Sequence, residues 1–210
     1  MKFFSQLNNT FWRYGLCATL LGILIEKVAH AQESKSFDQA LLETIHQSAP
    51  SNWEFFMKLV TDLGSLPVLG GLLVIAALYF VWRRQWKDLG LIVAAGLLTL
   101  ALREGLKQLF HRTRPELWQT SVHEDSYSFP SGHALGSVIA YGVLVYLAGR
   151  AFPQWRWALW SIYVMLVALI GYSRLYLGVH WPTDVLGGWV IGAVALGGLI
   201  YWHKISVARR

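Results

Sequence analysis

Charged residues and cysteine are both scarce in this chain. Only 14% of its 210 residues are charged, whereas 55% are hydrophobic. Soluble domains carry charge on about a quarter of their residues, so this composition favours an integral membrane protein. Cys17 is the only cysteine, which excludes a disulfide within the chain. It is also a poor site for lipid attachment, because Leu16 stands where a small residue would be expected.

The few charged residues are predominantly basic, with a formal net charge of +6 and a pI of about 9.5. In a soluble protein this excess would raise nucleic acid as a partner. Because apolar segments dominate here, the cytoplasmic lipid surface is the better interpretation, and no nucleic-acid partner is expected. Nothing in the sequence specifies an oligomeric state.

Six apolar segments predict an all-α, polytopic membrane bundle with six transmembrane helices. They are residues 11–25, 66–82, 89–102, 134–148, 157–172 and 185–202. Several are shorter than the roughly 20 residues that span a bilayer, so they must extend through flanking polar residues. The predicted organisation is an N-terminal segment with the first span (1–35), surface amphipathic helices (36–65) and a core with five further spans (66–210).

The first two of these regions each leave an alternative open. Ala29-His30-Ala31 resembles a signal-peptidase site, but Glu26 and Lys27 interrupt the approach to it, so we expect an uncleaved first span. In region 36–65, apolar residues recur at helical spacing on both sides of Pro50. Two helices lying on the membrane surface, or ordinary connecting helices packed on the bundle, both fit this pattern.

Charge and tryptophan predict how the bundle is oriented. With the N-terminus inside, ten of the eighteen Lys and Arg residues fall on short cytoplasmic stretches, as the positive-inside rule requires. Seven tryptophans near the predicted inner ends would form an aromatic belt at headgroup depth. They are Trp12, Trp82, Trp86, Trp155, Trp157, Trp160 and Trp202.

Six polar residues at the ends of predicted spans all face the same, outer side on this topology. They are Lys107, Arg114, His133, Arg174, His180 and Asp184. Charged groups near a membrane are costly unless they are paired or wetted, and they usually mark a site. Three cations beside two histidines and a carboxylate predict a site for a multiply charged anion, for which phosphate is the natural candidate.

Local sequence supports a phosphate site at two helix starts. Ser131 is a good N-cap, and Gly132 lets backbone amides approach an anion at the positive end of a helix, with His133 in the first turn. His180 and Asp184, four residues apart, can meet across a turn. A carboxylate on one imidazole nitrogen fixes the tautomer and makes the other nitrogen a better nucleophile.

At eleven positions the chain resembles the type 2 phosphatidic acid phosphatase family. The matching blocks are Lys107-x6-Arg114-Pro115, Pro130-Ser131-Gly132-His133 and Ser173-Arg174-x5-His180-x3-Asp184. The resemblance covers residues from about 66 to 202. It implies a membrane lipid phosphatase that needs no metal or other cofactor, and the family shares its site with vanadium haloperoxidases.

The resemblance also implies a role for each matching residue. His180 would attack phosphorus and form a phosphohistidine, and Asp184 would orient it. His133 would protonate the leaving oxygen and then help to activate water. The remaining positions would bind the phosphoryl oxygens: Lys107, Arg114, Ser131, Gly132 and Arg174.

Other polar residues and glycines are expected to have structural roles. Arg103 and Glu104 are expected to pair with neighbouring helices, and Arg112 to contact either a lipid headgroup or the phosphate. His111 and His123 could suggest a metal site with His133, but their spacing matches no standard ligand pattern. Two glycine pairs, Gly188 with Gly192 and Gly70 with Gly71, are expected to allow close helix packing.

The motifs bind phosphate and do not recognise the lipid, so two classes of substrate remain possible. One is a phosphomonoester such as phosphatidic acid or phosphatidylglycerol phosphate. The other is a polyprenyl diphosphate such as undecaprenyl diphosphate. The alternative function is a non-hydrolytic transporter or scaffold that binds an anionic lipid headgroup. Halide oxidation is disfavoured, because the related oxidising enzymes resemble soluble proteins. The predicted location is a bacterial inner membrane, with a multi-pass topology and a site facing the periplasm or exterior.

Overall fold

The structure is a computed structural model, which describes residues 32–118, 122 and 124–208. The predicted first span (11–25) and the possible cleavage site lie outside the described residues. Seven α-helices occur in the described part of the chain, and it contains no β-strand. They are α1 (Gln32–Ser48), α2 (Glu54–Asp62), α3 (Leu66–Trp82), α4 (Trp86–Phe110), α5 (Gly132–Ala151), α6 (Arg156–Tyr176) and α7 (Pro182–Ala208).

Within the described residues, five helical stretches are long and apolar enough to cross a membrane: Glu54–Trp82, Trp86–Phe110, Gly132–Ala151, Pro153–Tyr176 and Pro182–Ala208. The all-α polytopic bundle is therefore confirmed, and the second to sixth predicted spans each correspond to one stretch. α3 has the predicted bounds, whereas the other four helices run past the apolar segments that predicted them, because backbone hydrogen bonding continues through polar residues after hydropathy has fallen. α4 shows this best, since it continues from the apolar segment 89–102 to Phe110.

The outward surfaces of these helices are apolar, as lipid contact requires. Ile75 and Leu78 on α3, Leu97 on α4 and Met165 on α6 are all more than 60% exposed. Such a surface would be costly in water but not in hydrocarbon, where polar backbone groups are satisfied inside each helix.

α5 lies at the centre of the bundle. It packs against α3, α4, α6 and α7, and eleven of its residues are buried. Leu135, Ile139 and Val143 of this helix are fully buried and meet Leu91 and Ala95 of α4 in the main hydrophobic core. Helices that contact α5 on different sides are thereby held in fixed register relative to one another.

Short connections place alternate helix ends together. A tight turn joins α3 to α4, and a 3-10 helix (Pro153–Trp155) precedes α6. At this end Asp88 of α4 accepts hydrogen bonds from Arg150 of α5 (2.7 Å) and pairs with His203 of α7 (2.8 Å). Five of the six exposed tryptophans of the described residues lie here too, all except Trp53, so we call it the tryptophan end: Trp82, Trp86, Trp155, Trp157 and Trp202.

The helices α1 and α2, which precede α3, cover the opposite end of the bundle. α1 ends at Ser48 and α2 begins at Glu54, on either side of Pro50. α1 contacts α6 and α7 and buries Asp38 and Leu42, while α2 contacts α6. These helices are therefore packed on the bundle.

α5 and α7 approach each other closely along the glycines of α7. A methyl group at Gly188 would lie 2.8 Å from the carbonyl oxygen of Ser131, and one at Gly192 would lie 2.9 Å from Cβ of Val138. The predicted close packing in this span is confirmed. At Gly70 and Gly71 an added Cβ would meet no atom of the described residues within 4 Å, so close packing at this pair stays a prediction.

We predict that Gly188→Ala destabilises the protein by about 1–3 kcal/mol, because the methyl group overpacks the backbone of α5. Thermal unfolding of the purified protein in detergent measures the change. Gly197→Ala on the same helix is the matched control, since a Cβ there meets nothing within 4 Å among the described residues. It should leave the unfolding temperature unchanged or raise it, because alanine favours a helix over glycine. Equal unfolding temperatures for the two variants would contradict the close contact.

Candidate active site

The family-type motif residues meet at the end of the bundle opposite the tryptophans, which we call the motif end. Lys107 lies in the last turn of α4, His133 in the first turn of α5, Arg174 in the last turn of α6 and Asp184 in the first turn of α7. The loop that follows α4 supplies Arg114. Antiparallel connections bring these four helix ends to one side, so residues far apart in sequence lie close together.

His180 lies between a carboxylate and a guanidinium. Its Nδ1 is 3.4 Å from Oδ2 of Asp184, and its Nε2 is 3.2 Å from a terminal nitrogen of Arg114. Because a guanidinium only donates, Nε2 accepts from Arg114 and Nδ1 carries the proton toward Asp184. The backbone N–H of Trp181 donates to the same Oδ2 at 2.9 Å and fixes the carboxylate.

The environment of His180 favours its neutral form. Its side chain is 1% exposed, and burial lowers the pKa of His180 well below the ordinary value, with Arg174 and Arg114 lowering it further. A neutral imidazole whose Nε2 lone pair points away from Asp184 is the form that can attack an electrophile.

The three predicted cations are held by oxygen acceptors. Lys107 Nζ donates to the hydroxyl of Ser126 at 2.6 Å, and Arg114 Nε donates to the carbonyl of Ser126 at 2.7 Å. Arg174 donates to the hydroxyl of Thr61 at 2.7 Å. The side chains of Lys107 and Arg174 are nearly inaccessible, so their charges depend on partners inside the protein.

Glu124, which sequence reasoning did not identify, bridges two of these cations. One carboxylate oxygen is 3.2 Å from Arg114, and the other accepts a hydrogen bond from Arg174. Burial by itself raises the pKa of Glu124, but Arg174 and Arg114 outweigh it and bring the pKa below its ordinary value. An ionised carboxylate therefore occupies a position where a phosphoryl group could bridge the same two guanidiniums.

The start of α5 has the predicted capping geometry. The hydroxyl of Ser131 accepts the N–H of Ala134 at 3.5 Å, and the N–H of Ser131 donates to the carbonyl of Asp184 at 3.0 Å. These bonds dock the first turn of α5 against that of α7. His133 follows at once and lies within electrostatic range of Arg174 and His180.

Two arginines near the motifs are placed differently from the expectation. Arg103 forms a 3.1 Å ion pair with its sequence neighbour Glu104, and its side chain lies against Gly132. Arg112 borders the cavity described below, but its guanidinium pairs with two carboxylates. It is buried and makes ion pairs with Asp184 (2.6 Å) and Asp38 (2.7 Å). Sequence reasoning missed Asp38, because an acidic residue on an amphipathic helix is normally solvated.

A cavity of about 690 Å³ adjoins this cluster and is lined by Lys107, Arg114, Glu116, Glu124 and Ser126, among others. A larger cleft of about 1080 Å³ lies at the tryptophan end, between Arg150, Arg156 and Lys204. The smaller cavity is the relevant one for chemistry, because Lys107 and Arg114 line it, whereas no motif residue lines the larger cleft. No group of three His, Cys, Asp or Glu residues suited to a metal ion occurs in the described part of the chain, and His123 lies outside that part.

Comparison with known proteins identifies this arrangement. The sequence model of the PAP2 superfamily matches residues 85–207. Phosphatidylglycerophosphatase B of Bacillus subtilis is 32% identical over 177 residues, which cover 82% of this chain and 86% of that protein. An undecaprenyl-diphosphatase of Sulfolobus acidocaldarius is 28% identical, with 87% of this chain and 86% of that protein covered.

A solved structure agrees with the sequence matches. The crystal structure of a transmembrane PAP2-type phosphatidylglycerolphosphate phosphatase from Bacillus subtilis superposes with a TM-score of 0.82 at 28% identity, covering 90% of this chain and 95% of that one. The class defined by this fold and these relatives is a multi-pass membrane phosphatase. The chain belongs to the PAP2 superfamily, as the eleven motif positions predict.

We predict that Glu124→Gln tightens the binding of vanadate or inorganic phosphate about tenfold, because it removes a negative charge that competes for Arg114 and Arg174. Calorimetric titration of the purified protein measures the affinity. Glu116→Gln is the control, since Glu116 lines the same cavity but is exposed. Weaker anion binding by Glu124→Gln would show that Glu124 organises the cations and does not compete with the anion.

Proposed function

We propose that this protein releases phosphate from a phosphorylated membrane lipid through a phosphohistidine formed on His180. One observation carries the proposal. Nε2 of His180 is unprotonated and faces Arg114, while Asp184 stands behind Nδ1. A buried, neutral imidazole beside cations is poorly explained by a structural role, but it is what a nucleophile for a phosphate ester requires.

In the first step Nε2 of His180 attacks phosphorus, and the bond from phosphorus to the lipid oxygen breaks. His133, protonated beside the phosphate dianion, gives its proton to that leaving oxygen. Asp184 accepts the Nδ1–H of His180 and stabilises the positive charge that the imidazole gains.

In the second step water attacks the phosphohistidine. His133, now neutral, accepts a proton from this water, and the bond between phosphorus and Nε2 breaks. Inorganic phosphate then leaves, and the proton taken from water returns His133 to its starting state for the next cycle. The same residue thus acts first as the acid and then as the base.

Lys107, Arg114 and Arg174 hold the phosphoryl oxygens throughout. A phosphoryl group that binds there takes over the contacts of Glu124 with Arg114 and Arg174. Three fixed positive charges stabilise the negative charge that spreads over the transferring group. The hydroxyl of Ser131 and the amide of Gly132 would add hydrogen bonds at the start of α5.

The substrate class follows from where the site lies. It opens at the end of a helical bundle whose sides are apolar, so a lipid can present its headgroup from the bilayer. The related proteins include a phosphatidylglycerophosphatase and an undecaprenyl-diphosphatase. A lipid phosphomonoester and a polyprenyl diphosphate therefore both remain candidates. Segment 116–127, of which Glu116, Val122 and residues 124–127 line the cavity, is expected to discriminate between them.

We further propose that the motif end faces the periplasm or exterior of a bacterial inner membrane. The tryptophan end carries Arg83, Arg84, Arg150, Arg156 and Lys204 on short connections or helix ends. The positive-inside rule puts such an end in the cytoplasm.

We predict that the purified protein in detergent releases phosphate in the presence of excess chelator, since its own cations supply the charge stabilisation. The panel is phosphatidic acid, phosphatidylglycerol phosphate and undecaprenyl diphosphate, and the relative rates identify the substrate. His180→Ala should lower the rate at least about a thousandfold.

The matched control is His46→Ala, because His46 is exposed and only stacks on Trp118. It should retain the native rate. Native protein that folds but releases no phosphate from any of the three lipids would overturn the proposed function. Transport of lipid without hydrolysis would then become the leading alternative.

We predict that a membrane-impermeant maleimide labels Glu116→Cys in intact cells, in a background that carries Cys17→Ser. Gln154→Cys, exposed at the tryptophan end, should react only after the cells are permeabilised. The reverse pattern would invert the proposed orientation without affecting the chemistry.

A further inference from the structure

A buried network of charges lies behind the catalytic pair, on the side of Asp184 away from His180. Arg112 donates to Oδ1 of Asp184 at 2.6 Å and to Oδ2 of Asp38 at 2.7 Å. Asp38 and Asp184 are fully buried, and Arg112 is nearly so. Two carboxylates that water does not reach therefore share one guanidinium, whose side chain borders the cavity.

Asp38 also holds the first turn of α7, the helix that carries Asp184. Its Oδ1 accepts the backbone N–H of Thr183 at 3.0 Å, and its Oδ2 accepts the hydroxyl of Thr183 at 2.6 Å. The hydroxyl of Thr183 in turn accepts a hydrogen bond from Arg112 at 2.7 Å. A side chain of α1 thereby satisfies an N–H at the start of α7, where the helix itself leaves such groups unpaired.

The two oxygens of Asp184 are consequently assigned to different partners. Oδ1 belongs to Arg112, and Oδ2 faces Nδ1 of His180 and the N–H of Trp181. Rotation of the carboxylate would break the contact with Arg112, so this ion pair determines which oxygen faces the histidine. The pair also supplies the positive charge that keeps a buried carboxylate ionised and able to accept from Nδ1–H.

We propose that Asp38 and Arg112 are positioning residues for the phosphatase reaction, which hold Asp184 ionised and aimed at His180. The inference rests on the proposed function of His180 and Asp184. It extends the functional unit to α1, which precedes the segment 85–207 that matches the family. It also gives the packing of α1 on the bundle a role in catalysis.

The first test is Asp38→Asn, which keeps the size of the side chain and an acceptor for Thr183 but removes the charge that orients Arg112. We expect kcat to fall about a hundredfold, as small displacements of a reacting group cause, while KM changes less than about twofold. Vanadate affinity should not change, because the phosphate-binding cations keep their own partners. Glu43→Gln, which removes a carboxylate from the same helix, is the matched control and should keep native kinetics.

The decisive test is a double-mutant cycle with Asp184→Asn. If Asp38 acts through Asp184, adding Asp38→Asn to the Asp184→Asn protein should lower kcat by less than about twofold further. A merely structural role would instead lower kcat by the same factor in both backgrounds and would overturn the proposal. An unchanged kcat in Asp38→Asn alone would overturn it as well.

Arg112 supplies an independent measurement if one variant folds poorly. Arg112→Gln leaves two buried carboxylates without a counter-charge, so we expect a larger loss of kcat than in Asp38→Asn. Arg112→Lys should restore part of that loss, since an ammonium keeps the charge but lacks the fork that bridges two carboxylates. A loss of vanadate binding in Arg112→Lys with native kcat would make Arg112 a phosphate ligand and refute the positioning role.

Failure of this proposal is separable from failure of the proposed function. Phosphate release by the native protein and its loss in His180→Ala test the function alone. A protein that passes both tests but shows additive losses in the cycle remains a phosphatase whose α1 is only a structural support.

Discussion

Compensation of buried charge is the constraint on which the motif end of this protein depends. Lys107, Arg112 and Arg174 are almost inaccessible, and Asp38 and Asp184 are completely so. Each such charge is stable only if a partner of opposite sign or a strong hydrogen-bonding group replaces the water that it lost. The arrangement of opposite charges therefore fixes how the ends of α4, α5, α6 and α7 meet.

The charges divide into two layers with different consequences. In the outer layer, Glu124 neutralises Arg114 and Arg174, which a phosphoryl group can also bind. Anion exchange is possible there because Arg114 and Glu124 line the cavity. In the inner layer, Arg112 lies between Asp38 and Asp184, where no substrate can replace either carboxylate. The outer layer suits binding and release, whereas the inner layer suits the fixed orientation that a nucleophile needs.

The positions of the membrane-spanning helices follow largely from hydropathy, so they could be predicted from the sequence. Residues 66–82 were predicted as a span, and α3 has the same bounds, because an apolar run that ends at Trp82 and Arg83 leaves little choice. The close helix packing predicted at Gly188 and Gly192 of α7 was also correct, because small residues four apart permit two helices to approach closely. Gly70 and Gly71 are adjacent in sequence and have no described neighbour opposite them, so no close approach at this pair is seen among the described residues.

The sequence by itself determined the number and kind of the described spans, the family, and the residues that carry the chemistry. Apolar length and motif spacing are local properties, and eleven motif positions cannot match by accident at the ends of successive spans. Only the tertiary structure decided the partners of those residues. Asp38 and Glu124 resemble ordinary solvated acids in the sequence, and Arg112 resembles a headgroup contact. Their roles depend on long-range contacts between helix ends, which arise only when α5 brings α4 and α7 together and α1 packs on α6 and α7.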